Sequence, residues 1–186
     1  LISDAKATYW NAQQAGKIAG APAPSPSRKS TSCCITATEV NGWLETLPLW
    51  PLAGAQDHPL RVLIACEESG VMRRAFAALG HDAWSCDLLP ARDGSNHHIR
   101  GDVRDHLHDG WHSLMVAHPP CIVLCNSGVK HLYIGGRKEN GRNAARWADL
   151  EQSAAFYRTL RDAHQIPRRA LENPVMHGHA ITAIQR

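Results

Sequence analysis

An α/β domain on a mostly parallel sheet is the fold class that this sequence predicts from residue 59 onward. Three observations carry it. Short apolar runs of β-type residues alternate with longer segments of helical period. The runs are apolar throughout rather than alternately polar, as strands buried on both faces are. The residues with chemistry to offer fall just after the runs, and an open parallel sheet binds its ligands beyond the carboxyl ends of its strands.

The elements follow in order. "RVLIAC" (61–66) is the first strand. "SGVMRRAFAALG" (69–80) is a helix, with Ser69 as its cap, Val71, Ala75, Phe76 and Leu79 on its inner face and Gly80 at its end. "DAWSCDLL" (82–89), "IRGDV" (99–103) and "SLMVAH" (113–118) are the second, third and fourth strands. "RWADLEQSAAFYRTLRDA" (146–163) is a long helix, with Trp147, Leu150, Ala154, Tyr157 and Leu160 inward, and "RRALENP" (168–174) is the fifth strand. No internal repeat is visible. Residues 1–58 differ in kind and read as an N-terminal extension or linker. "AGAPAPSPSRKSTS" (19–32) is expected to be extended and mobile, and 36–50 to form a short packing helix with Val40, Trp43, Leu44 and Leu47 on one face.

The 186 residues suffice for one domain with a real core. No apolar run approaches the ~20 residues of a membrane helix. The start lacks the basic-then-apolar order of a secretory signal, so a cytoplasmic protein is expected; it also lacks an initiator Met, which suggests a fragment or a processed end. A net charge of +3 permits a nucleic-acid partner without demanding one. The cysteines at 33, 34, 66, 86, 121 and 125 form no C-x-x-C pair, and free thiols are the expectation. The histidine pairs 97/98, 106/108 and 177/179 lack a Cys or carboxylate at zinc-like spacing, so no metal is expected.

The expected strand ends carry, in turn, Glu68-Ser69-Gly70, Asp87, Asp102, Pro119-Pro120-Cys121 and Glu172-Asn173-Pro174. Ser69 and Gly70 allow a close approach of backbone to ligand. An acid about 20 residues past such a turn often takes ribose hydroxyls. Each feature alone reads equally as a turn or cap residue. The Pro-Pro step is the odd one, because it fixes φ immediately before a cysteine. A buried structural thiol has no need of that, and a nucleophile does. His118 precedes it and is not assigned as a base, since alternation turns it to the other face from Pro119.

In that order the residues resemble the cytosine-5 DNA methyltransferases, closest to their short phage and prophage-type members. The resemblance spans residues 60–180 and rests mainly on Pro119-Pro120-Cys121 with Glu172-Asn173 downstream. It implies a Rossmann-like class I methyltransferase sheet. S-adenosylmethionine is then the cofactor, held by Glu68, Ser69, Gly70, Asp87 and Asp102, with Asp87 on the ribose and Asp102 on the adenine amine. Cys121 is the covalent nucleophile, with Pro120 holding it, Glu172 the acid at ring nitrogen 3 and Asn173 the brace beneath Cys121. A cation or helix end is expected to lower the Cys121 pKa, and a dry pocket to raise that of Glu172. The segment 127–146 corresponds to the mobile loop over a flipped-out base in DNA; its Lys130, Arg137, Lys138 and Arg142, with Arg146, suit phosphates. Cys125 is expected to be structural.

Three positions depart from the family. Ile122 replaces the usual Gln, Pro174 replaces Val, and two further strands of a full methyltransferase sheet are not found before Arg186, so an incomplete domain is expected. Other readings stay open: an amino-methyltransferase, which His118-Pro-Pro-Cys121 fits poorly; a non-catalytic nucleic-acid-binding remnant; and an enzyme acting on free pyrimidine nucleotides.

Overall fold

The computed structural model describes residues 59–186, so the expectations for 19–32 and 36–50 lie outside the described residues. The described chain divides into two compact units. One holds the residues up to His118 together with Ala163–Ala170; the other holds Pro119–Asp162 and Leu171–Arg186.

The first unit carries the sheet. β1 (Arg61–Ala65) leads into helix α1 (Val71–Ala78), β2 (Asp82–Asp87), β3 (His98–Arg100), a one-turn helix α2 (Val103–His106), β4 (Leu114–Ala117) and β5 (Arg168–Leu171). The strand order is β3-β2-β1-β4-β5. The β1–β2, β1–β4 and β2–β3 pairs are parallel, so the expected α/β class with a mostly parallel sheet is what forms. β1 lies between β2 and β4, and this explains the uniform apolarity of "VLIA" and "LMVA": every residue of both runs is buried.

Val62 and Ile64 pair with Leu114 and Val116. With Ala83 they form one face, on which α1 seats Met72, Ala75 and Phe76. The helix is turned relative to its expected face: Met72 is buried, while Val71 is half-buried and Leu79 is 40% exposed. The stripe is 72-75-76, and the 71-75-79 spacing had fitted the same period one residue away. The expected stop at Gly80 stands: with φ +84 it lets Gly80 N–H reach Ala77 O and His81 N–H reach Phe76 O, the paired bonds of a Schellman end.

Strand ends are shorter than expected. β3 occupies His98–Arg100 instead of 99–103, because Asp102 turns the chain to cap α2 through Arg104 N–H. β5 ends at Leu171, which leaves Glu172-Asn173-Pro174 irregular.

Cys86 is fully buried on β2. Burial, and then the carboxylates of Asp87, Asp102, Asp109 and Asp105, push its thiol up to about 12. The folded state therefore keeps a proton that an unfolded chain releases near the ordinary thiol value of 9.0. The stability this contributes is complete below that value and declines as pH climbs towards about 12. Urea unfolding over this range should show the decline, and Cys86→Ala should flatten it.

The second unit begins at the Pro-Pro step. Three short 3-10 turns follow (Asn126–Leu132, Ile134–Gly136, Lys138–Asn140), then helix α3 (Ala144–Arg161) and, at the end, helix α4 (Gly178–Gln185). Asn143 caps α3 by accepting from Arg146 N–H, which starts the helix two residues before the expected 146. Leu150, Ala154 and Leu160 are buried as expected, Trp147 and Tyr157 are half-buried, and Ser153 and Phe156 complete the inner face. Leu124, Leu132, Leu150, Ala154, Ala180, Ala183 and Ile184 make this unit's core. α2 and α4 were not expected. α4 is held at its far end from α3, where Arg158 donates to Ala183 O and Arg161 to Ile184 O, carbonyls that the helix cannot satisfy itself.

Candidate functional site

The candidate residues fall into two sets, one in each unit. The Cys121 set begins four residues after β4. Pro119, Pro120 and Cys121 are all buried, Cys121 to 6% exposure. Cys121 O accepts from both Leu124 N–H and Cys125 N–H at 2.9 Å, so residues 121–125 form one tight turn. The turn is tied to the segment after β5: Asn126 N–H donates to Val175 O, His177 N–H donates to Leu124 O, and Cys125 bridges to Met176 in antiparallel fashion. Five residues before His177 stands Glu172. Cys121 and Glu172 are thus held by one hydrogen-bonded piece of the chain.

Their electrostatics differ from expectation. The Cys121 thiol is raised above the ordinary value, not lowered: burial is the main cause, and Cys125 and the Glu172 carboxylate push the same way. At rest it is a protonated thiol. Glu172 is exposed, so the described residues do not enclose it in a dry pocket. Its field also reaches the Tyr157 phenol on α3, which burial raises, Arg161 pulls down and Glu172 pushes up. Asn173 braces nothing: both Oδ1 and Nδ2 of its amide are buried without a hydrogen-bond partner. Cys125 has a structural place, with its Sγ 3.0 Å from Ser127 Oγ.

The basic segment is built of short 3-10 turns. Tyr133 bridges to Arg142, Ile134 N–H donates to Gly141 O, and Leu132 is fully buried beneath. Lys130, Arg137, Lys138 and Arg142 are all exposed, and two of them lie over aromatic rings: Arg142 is 4.2 Å from the Trp147 ring and Lys138 5.9 Å from Tyr133. Arg146 pairs with Asp149.

The second set lines consecutive strand ends in the sheet unit. Cys66, left-handed at φ 61, turns the chain out of β1, and its N–H holds to Cys86 O at the end of β2. Gly101 N–H donates to Asp87 O, which ties the end of β3 to that of β2. Glu68, Asp87 and Asp102 therefore share the carboxyl edge, as expected. Each also has work inside the protein. Glu68 pairs with Arg92 at 2.9 Å, Asp87 accepts from Leu89 N–H, and Asp102 holds Arg104 as well as capping α2.

Ser69 does not cap α1. Gly70, left-handed at φ 70, takes that place, and Ser69 donates to Glu67 Oε1 at 2.5 Å while accepting from Val71 N–H. A Cβ on Gly70 would meet the side-chain ends of Asp93 and Arg73 at 2.5 and 2.6 Å, and the left-handed φ is what favours glycine there. Sequence reasoning passed over Glu67, which is 6% exposed and whose Oε2 has no hydrogen-bond partner. Its only sequence signal was its place beside Glu68 in the first turn.

Among the described residues no three His, Cys, Asp or Glu side chains group as a metal site, and no helix is long and apolar enough to cross a membrane. Compared with family models, curated proteins and solved structures, the chain gives no match.

Proposed function

We propose that the chain is a cytosine-5 methyltransferase-like protein that takes a methyl group from S-adenosylmethionine to carbon 5 of cytosine in DNA through a Cys121 adduct. The observation that carries this reading is the coupling of Cys121 to Glu172 within one tied segment that follows β4 and β5. A buried thiol with a carboxylate in electrostatic reach suits covalent catalysis.

The strand order supports the cofactor. In β3-β2-β1-β4-β5 the connections reverse direction between β1 and β4, and nucleotides bind at such a switch point. Glu68, Ser69, Gly70, Asp87 and Asp102 would hold S-adenosylmethionine. The fit rests on Glu67 Oε2, a buried acceptor in want of a donor at the turn that opens α1. Both oxygens of Asp102 already accept from Arg104, so a cofactor there would share that carboxylate with Arg104. When bound, the cofactor supplies an electrophilic methyl on a sulfonium.

The chain's own residues do the rest. The Cys121 thiol gives up its proton to water and the thiolate adds to carbon 6 of cytosine, which makes carbon 5 an enamine carbon. Glu172, in its acid form, donates to ring nitrogen 3. After methyl transfer the carbon 5 proton leaves to a base, the carbon 6–sulfur bond breaks, the thiolate is regenerated and ring nitrogen 3 returns its proton to Glu172. Lys130, Arg137, Lys138 and Arg142 contact DNA phosphates.

DNA bearing 5-fluorocytosine tests this, since fluorine cannot leave as a proton does. With S-adenosylmethionine present, a protein–DNA adduct should survive denaturing electrophoresis. Methylation without an adduct would turn the reading towards amino-methylation. The cofactor set has its own test. Asp87→Asn keeps an acceptor for Leu89 N–H but loses the charge, and should weaken S-adenosylmethionine binding by about 1–3 kcal/mol in calorimetry. Unchanged affinity removes Asp87 from the site.

A further inference from the structure

We infer that His177 is a positioning residue for Cys121, acting through the backbone of the turn that carries the thiol. The inference rests on the proposed role of Cys121 as nucleophile. His177 is 4% exposed and has two tasks. Its Nδ1 accepts from Ala180 N–H at 3.1 Å and so caps α4. With Nδ1 an acceptor, the ring proton sits on Nε2, which lies 2.7 Å from Val123 O and donates to it. The backbone N–H of the same residue donates to Leu124 O at 3.1 Å.

The Cys121 turn is thereby gripped on two successive carbonyls by one residue. Cys121 O takes the N–H groups of Leu124 and Cys125, and Val123 O and Leu124 O take the side chain and backbone of His177. Leu124 is fully buried in the core of this unit, and α4 contributes Ala180, Ala183 and Ile184 to that core. The direction of the thiol is therefore set by a helix start more than 50 residues away in the chain. An imidazole meets the demand because it accepts at one edge and donates at the other while remaining neutral.

Two substitutions separate the tasks. His177→Asn keeps a good helix cap, but its amide ends near the position of Nδ1, short of Val123 O. His177→Gln carries an N–H out to about the reach of Nε2 and caps poorly. Positioning predicts that His177→Asn slows adduct formation on 5-fluorocytosine DNA by about 10–100-fold, while His177→Gln restores most of the rate. It also predicts that His177→Asn, by loosening the turn, speeds iodoacetamide labelling of Cys121 about tenfold, read by peptide mass spectrometry, with S-adenosylmethionine affinity unchanged in both variants. A role in capping alone reverses the order, with Asn like the parent and Gln impaired, and that result overturns the inference. Should even the parent chain give no adduct, the methyl-transfer reading fails, while the labelling order of the two variants still decides the part played by His177.

Discussion

Cys121→Ser is expected to abolish the 5-fluorocytosine adduct, lowering its rate by roughly 10⁴–10⁶-fold, the scale on which loss of a nucleophile collapses covalent catalysis. A serine hydroxyl in the same buried turn has no accessible anion to add to carbon 6. Cys125→Ser should leave the adduct in place, since Cys125 lies 3.0 Å from Ser127 Oγ in a structural contact that a hydroxyl can keep. Glu172→Gln keeps the shape and loses the acid, and should slow adduct formation by about 10²–10⁴-fold. The pH dependence has a defined sign. The Cys121 thiol is raised by burial, by Cys125 and by Glu172, so the thiolate fraction is small near neutrality and grows with pH. Labelling of Cys121 in the free protein should climb with pH and reach half its limit above the ordinary thiol value of 9.0. In Glu172→Gln that midpoint should fall, because one of its causes has gone. A midpoint below 9.0 in the parent protein would contradict the burial and the field described here.

Gly128→Ala is the second large effect expected, and it needs no knowledge of the substrate. An added Cβ would stand 2.0 Å from Ile122 O and 3.2 Å from the Val123 Cα, and both are backbone. No side chain can swing aside to relieve this, so the turn at 121–125 must move or the 3-10 turn behind it must open. Overpacking of this kind costs about 1–3 kcal/mol, occasionally more. The urea midpoint should fall accordingly and adduct formation should slow with it. Gly178→Ala is the control. Nothing lies within 4 Å of its added Cβ, and it sits in the first turn of α4, where alanine is the better helix former. Equal midpoints for the two variants would mean that Gly128 has room it is not described as having.

The sheet was legible because buried parallel strands declare themselves. "VLIA" and "LMVA" admit no alternation, and the acids and prolines after them mark the edge. What sequence could not supply was the assignment of hydrogen bonds. Ser69 is a good cap residue by type, yet Glu67 claims its hydroxyl proton and Gly70 takes the cap. Asp102 reads as a ligand acid, and it does stand at the carboxyl edge, but α2 and Arg104 already use it. The catalytic candidates were legible as a motif, while their electrostatics were not, because burial depends on what packs around the turn. α4 itself was missed because its cap is a histidine, outside the Ser, Thr, Asp and Asn set that announces a helix start. The turns of the basic segment were not legible from its glycines. Gly135 and Gly136 take positive φ within one 3-10 turn and Gly141 just after the next.

The bond from His177 to Val123 also fixes an order of events during synthesis. The chain is made from its amino terminus, and 54 residues separate the two partners. At about 5–20 residues per second the ribosome needs about 3–11 s to cross that interval. Throughout it the Cys121 thiol has been translated, but the residue that fastens its turn has not. A nascent chain thus carries the Cys121 turn unfastened, and its fastening waits on the start of α4.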